Sequence, residues 1–375
     1  MKTLEPLVLV QGAPCGGSVR GYAPRQMYRP SHRRARRRNS VVLVVMVLAG
    51  IGLGLGLSVW AQGGSTPPPT TSAPPTTPPP TTTTTEATPS VPGAYRVGTT
   101  SITVVESSTR SLPTGVWYPS ATGTGGSLHG AHFPLLVFSQ GYDLSVSAYA
   151  DLITAWASAG YVVVAPTYPD TAPTSPTLNE SDIVNHPGDL KSVITTVLQL
   201  AGQAGSVLAA VNTGEIGLVG HSDGGDVSLT VAENSAYQDP RVKAVAVLSG
   251  AELASFGGTY FGGATVPLLA VQGSADTINP PGCSVQFYTQ APEPKYYLDL
   301  LGAQHEPPYT VAGSPAEQVV ARVTTEFFDA ELAGNKTAAS AMATAGNQAG
   351  VSQFYPGTPP PVATGCPGAP GGGAY

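Results

Sequence analysis

The chain has 375 residues, of which 41% are hydrophobic and only 11% charged, so it can supply a core and is not a charged, disordered polypeptide. Its net charge of −6 is divided unevenly: residues 1–93 carry nine basic and two acidic side chains, a net of +7, while residues 94–375 carry eight and twenty-one, a net of −13. The second part has no basic patch, so nucleic acid is not an expected partner.

In chain order, residues 1–40 read as a disordered basic leader on the cytoplasmic side. Its cluster Arg33, Arg34, Arg36, Arg37 and Arg38 stands directly before the apolar run Val41–Ala61. At roughly 1.5 Å per residue that run is long enough to span a bilayer, and positive flanks remain cytoplasmic. It is expected either to stay as a transmembrane signal anchor or to be cleaved after Ala61, where Val59-Trp60-Ala61 offers small or modest residues. The expectation is therefore a cell-membrane protein with an extracytoplasmic domain, or a secreted one if cleavage occurs. Residues 62–93 are almost entirely Pro, Thr, Ser, Ala and Gly and read as an extended linker.

Between 94 and 333 strand-like and helix-like patterns alternate. Strands are expected at Ser101–Glu106, Gly115–Tyr118, Phe133–Phe138, Tyr161–Ala165, Ile216–Gly220, Val242–Leu248, Val266–Val271 and Tyr296–Leu300. The middle ones are continuous apolar runs, as buried parallel strands are. Helices are expected at Ala148–Ala159, Asp189–Leu200, Gly224–Ser235, Ser284–Gln290 and Pro315–Glu331, the second capped by Asp189. No helix separates the first two strands, which suggests an antiparallel start. The pattern predicts a three-layer α/β fold, with a mostly parallel sheet of about eight strands and no large lid. Residues 334–375 read as a low-complexity tail. Cys283 and Cys366 could be joined in an oxidising compartment or remain two small thiols; both readings stay open.

The chemistry centres on Glu-Ile-Gly-Leu-Val-Gly-His-Ser-Asp-Gly at 215–224, a strand feeding a Gly-x-Ser-x-Gly turn. Such a turn presents a serine nucleophile on a strained elbow. A serine hydroxyl needs a base, a group to orient that base, and donors for the developing oxyanion. Ser222 is the candidate nucleophile. Asp276, just beyond a strand, is the candidate acid, and His305, after the last expected strand, is the candidate base. The order Ser, Asp, His suits an open α/β sheet. The oxyanion donors are expected to be the backbone amides of Tyr142 and Asp223. The Asp223 side chain is expected to turn away toward a polar partner at the rim. His221 is read as packing beneath the turn, and His186 as structural. No cofactor and no metal are implied.

These motifs resemble the α/β-hydrolase superfamily. Leu-Pro-Thr-Gly-Val-Trp-Tyr-Pro at 112–119, Phe-Pro-Leu-Leu-Val-Phe-Ser-Gln-Gly-Tyr at 133–142 and Gly-Tyr-Val-Val-Val-Ala-Pro at 160–166 carry the resemblance. Gly-His-Ser-Asp-Gly-Gly at 220–225, Gly-Ser-Ala-Asp at 273–276 and Gly-Ala-Gln-His at 302–305 complete it. Within the superfamily, residues 95–333 are similar to the dienelactone hydrolase, platelet-activating-factor acetylhydrolase and cutinase-like esterase group. The resemblance implies a serine esterase with Ser222, Asp276 and His305 as its triad and Tyr142 and Asp223 at the oxyanion hole. The chain departs from it at Gln140-Gly141, where many relatives have His-Gly. It also places His221 where polyester-degrading members put a tryptophan, so short-acyl esters are the expected substrates, small or lipid-like. A peptidase, an amidase or a polyester hydrolase would use the same triad. A non-catalytic wall-associated binding module is the alternative of another class.

Overall fold

A computed structural model of the protein describes residues 93–121, 131–362 and 365–366. The expected leader, apolar run and linker lie outside the described residues. No helix among the described residues is long and apolar enough to cross a membrane. The membrane anchorage and membrane localisation expected from Val41–Ala61 are accordingly dropped.

The chain opens with β1 (Arg96–Ser107) and β2 (Arg110–Ser120), which form an antiparallel pair. Next come β3 (Phe133–Ser139), α1 (Ala150–Ala159), β4 (Val162–Pro166), α2 (His186–Ala201), β5 (Val211–His221), α3 (Asp223–Glu233) and β6 (Val242–Leu248). β7 (Leu268–Gly273), α4 (Pro281–Gln290), β8 (Lys295–Leu300), α5 (Pro307–Thr310), α6 (Pro315–Glu331), α7 (Ala338–Gly346) and β9 (Ser352–Tyr355) follow. Among the described residues nine strands make one sheet in the order β1-β2-β4-β3-β5-β6-β7-β8-β9. All neighbours from β4 to β8 run parallel, and the antiparallel pairs are confined to β1-β2-β4 at one end and β8-β9 at the other.

Alternation along the strands divides the apolar side chains between two faces. Leu135 and Val137 of β3 join the layer under α2, α3 and α4, with Leu190, Val227 and Phe287. Leu136 and Phe138 face the opposite layer, with Trp156 of α1, Phe328 of α6 and Met342 of α7. Each such side chain, fully buried, stabilises the fold by roughly 1.5–3 kcal/mol. The Trp156 indole N–H also donates to Thr324 Oγ1 at 2.7 Å, so its one polar atom is satisfied where α1 meets α6.

Two expectations need correction. Asp189 does not cap α2. That helix starts at His186 with Pro187 in its first turn, where a missing N–H costs nothing. Asp189 instead accepts from Arg110, which also grips Asp182. Nor is 334–375 without regular structure: α7 packs Met342 into the core, and β9 adds an antiparallel edge strand to β8. Near its end, Cys366 is bonded to Cys283 of α4.

Candidate active site

β5 lies at the middle of the sheet between β3 and β6, and its apolar run carries the chain to His221. The backbone then turns abruptly. Ser222 has φ 54° and ψ −127°, a conformation strained for a residue with a side chain, and α3 begins at the next residue. A Cβ on Gly220 would lie 2.1 Å from the Gly224 carbonyl oxygen, and one on Gly224 would lie 2.1 Å from that of Ser139. Both positions therefore require glycine. Ser222 N–H donates to Leu248 O and Ser222 O accepts from Asp226 N–H, each at 3.0 Å, which pins the elbow between β6 and the first turn of α3. Strain gathers along this edge: Asp143, Ser222 and Ser249, at or just beyond the carboxyl ends of β3, β5 and β6, all have positive φ.

Two loops from the same edge converge on the elbow. The one after β7 carries Asp276, and the one after β8 carries His305. They are tied together by Ala275 N–H to Ala303 O at 3.0 Å and Gly302 N–H to Ser274 Oγ at 2.7 Å. His305 Nε2 lies 2.8 Å from Ser222 Oγ, and His305 Nδ1 lies 2.8 Å from Asp276 Oδ2. The other Asp276 oxygen accepts from the amides of Ile278 and Asn279 at 2.9 and 3.0 Å. Asp276 and His305 are buried, while Ser222 is half-buried at the edge of the cleft. Ser222, His305 and Asp276, 83 and 29 residues apart in sequence, thus share one line of hydrogen bonds.

The loop after β3 closes the other side. A Cβ on Gly141 would stand 3.1 Å from Ser222 Cβ and 3.2 Å from His221 Nδ1, so Gly141 lets the backbone approach the elbow. Tyr142 follows, half-buried. Slight desolvation, then the negative charges of Glu180, Asp143 and Asp223, raise its phenol above the ordinary value. The Asp223 side chain does not find the polar partner expected of it. Its Oδ2 is enclosed and makes no hydrogen bond among the described residues. Burial, with Glu180 adding to it, pushes the Asp223 carboxyl up to about 7.

Sequence reasoning missed the part played by His221 and Tyr149. His221 is fully buried, with Nε2 3.1 Å from the His305 carbonyl oxygen and Nδ1 2.8 Å from Tyr149 Oη. A carbonyl can only accept, so the ring proton sits on Nε2 and the Tyr149 hydroxyl donates to Nδ1. Gly141 N–H in turn donates to Tyr149 Oη at 3.2 Å. Burial, then the neighbouring His305, depress the His221 pKa well below the usual range, which keeps this ring neutral. A histidine beside a turn serine gives no sequence signal for such a bridge. Only the folded positions of residues 141, 149 and 305 reveal it.

Compared with known families, residues 90–251 match the family described as chlorophyllase. That span, on a sheet of this order with the elbow at its centre, decides the classification. The chain is an α/β-hydrolase-superfamily member. The family matched is the one described as chlorophyllase, and that match does not point specifically to the dienelactone hydrolase, acetylhydrolase and cutinase-like group that the motifs resemble. Within the superfamily match lie Tyr142, Ser222 and Asp223, whereas Asp276 and His305 come after it.

Proposed function

We propose that the protein is a serine esterase that cleaves carboxylic esters, with short acyl groups preferred, through an acyl-enzyme. The observation that carries this reading is the hydrogen-bond line from Ser222 Oγ through His305 to Asp276. Similarity to a hydrolase family over the elbow supports it.

In the proposed reaction His305 Nε2 takes the proton of Ser222 Oγ as the oxygen attacks the acyl carbon. The carbonyl π pair moves to oxygen, and the oxyanion is met by the backbone amides of Tyr142 and Asp223. Asp223 N–H is free of intrahelical bonding because it opens α3. Asp276 holds the Nδ1 proton and stabilises the imidazolium. Collapse of the tetrahedral species returns the carbonyl, and the leaving alkoxide departs with the proton from His305. Water then repeats the sequence on the acyl-Ser222 ester and releases the acid. Losing one oxyanion donor in a site of this kind costs about 3–4 kcal/mol in the transition state.

His221, rather than a tryptophan, stands beside the serine, and this supports short acyl chains. A series of p-nitrophenyl esters from acetate to palmitate, run beside a matched anilide, tests the proposal. Hydrolysis of the acetate and butyrate that vanishes in Ser222→Ala is expected. kcat/KM rising toward palmitate would overturn the short-acyl preference, and faster anilide cleavage would overturn the esterase reading.

A further inference from the structure

The proposed acid is held by more than loop amides. Gln272, near the end of β7, is fully buried, and its Nε2 lies 3.2 Å from Asp276 Oδ2, the same oxygen that faces His305 Nδ1. Its surroundings fix which way the amide points. Nε2 is within reach of three acceptors: Asp276 Oδ2, the Gly273 carbonyl at 3.1 Å and the Asn279 carbonyl at 3.0 Å. Oε1 accepts from the Ser284 hydroxyl at 2.5 Å. Turning the amide over would set its oxygen against those three acceptors, so the observed orientation is the one the network permits.

A core position on a central strand is ordinarily apolar, because a buried amide is costly unless its groups are paired. The pairing here is directed at one carboxylate. Ile278 and Asn279 N–H hold Asp276 Oδ1, and Gln272 holds Oδ2 beside the histidine. Ser284, which anchors Gln272, follows Cys283 in α4, and Cys283 is bridged to Cys366.

Resting on the esterase reading above, we propose that Gln272 is a positioning residue. It holds the Asp276 carboxylate in the orientation in which Oδ2 receives the His305 Nδ1 proton. Its contact runs through Asp276, so it should act on turnover rather than on substrate binding.

Gln272→Met keeps the length of the side chain and removes its donor. With p-nitrophenyl acetate we expect kcat about ten- to a hundredfold lower, the usual cost of losing such a supporting contact, with KM within about twofold. The low-field proton NMR signal of the His305 Nδ1–H hydrogen bond should weaken or broaden. Ser284→Ala, which frees the amide without removing it, should fall in the same sense by less. The active fraction is titrated with a fluorophosphonate in every sample. Wild-type kcat and an intact low-field signal in Gln272→Met would overturn the proposal, as would a loss of kcat that only tracks the titrated fraction. Should Gln272→Met fail to fold, wild-type kcat and signal in Ser284→Ala would overturn it. Ser222→Ala separates the two levels. If it still turns over the ester, the esterase reading fails. If turnover needs Ser222 while Gln272→Met is unaffected, only the positioning role fails.

Discussion

His221 Nε2 lies 3.1 Å from the carbonyl oxygen of His305, so the residue before the elbow serine holds the backbone of the histidine that faces it. Its other nitrogen receives the Tyr149 hydroxyl, which accepts from Gly141 N–H. The loop beside Ser222 on one side and the histidine on the other are therefore set by one neutral imidazole.

Tyr149→Phe keeps the ring and removes the hydroxyl, which leaves Gly141 N–H and His221 Nδ1 buried without a partner. A loss of about 1–3 kcal/mol in urea unfolding is expected. kcat should fall as well, because the Gly141–Tyr142 backbone loses its anchor. Unchanged stability and unchanged kcat would show that the bridge does not hold the loop.

The elbow glycines allow a sterically sharp test. A Cβ at position 224 would meet the Ser139 carbonyl at 2.1 Å, and one at position 220 would meet backbone at the same distance. Backbone cannot step aside as a side-chain tip can, so Gly224→Ala should cost about 3 kcal/mol or fail to fold. Gly350→Ala, a control at a positive-φ turn with open space around it, should cost about 1 kcal/mol. Equal melting temperatures for the two variants would contradict the packing described.

pH dependence follows from Asp223 and Glu233. Burial, with Glu180 adding to it, raises Asp223 to about 7; burial also raises Glu233 to about 7, against a bond from Val266 N–H. A carboxyl raised in the folded state holds its proton more tightly there than in the unfolded chain. Its contribution is thus fully present below the unfolded value, falls as pH rises from about 4 to about 7, and stays low above that. In Asp223→Asn this loss is absent, so the melting-temperature advantage of the variant should grow over that window and level off. Asp223 also carries the amide proposed to meet the oxyanion, so with that side chain's charge removed the variant should keep a larger share of its kcat between pH 7 and 9. An advantage independent of pH would contradict both points.

The Cys283–Cys366 bridge closes a loop across a sequence separation of 83 and fastens the last described residues to α4. Cys366→Ser should lose about 2–4 kcal/mol of stability. Adding a reductant should bring the wild type to the same value without altering the variant. A melting temperature insensitive to both changes would show the bridge to be energetically silent.

The central architecture was legible because it is written in local patterns. Val162-Val163-Val164 and Leu268-Leu269-Ala270 are unbroken apolar runs, and the glycines around Ser222 mark a turn that no other residue could make. The positions of Asp276 and His305 after consecutive strands put both on the edge where Ser222 stands. What escaped depends on distant partners. Asp189 reads as a helix cap until Arg110, 79 residues away, is brought against it. Ala338–Gly346 is a helix because Met342 and Ala345 find the core, and Ser352–Tyr355 is a strand because β8 offers it an edge. The buried amide of Gln272 stands directly after an apolar run, where it reads as the start of a polar loop, and its partner Ser284 lies 12 residues on, in a different element.

Covalent labelling of Ser222 is the most direct test of the proposed chemistry. The intact protein is incubated with a fluorophosphonate, its mass is measured, and the labelled peptide is sequenced. One adduct per chain on Ser222 is predicted, absent from Ser222→Ala and greatly slowed in His305→Ala and Asp276→Asn. A folded wild type that takes no label, or takes it equally well in Ser222→Ala, would contradict the account.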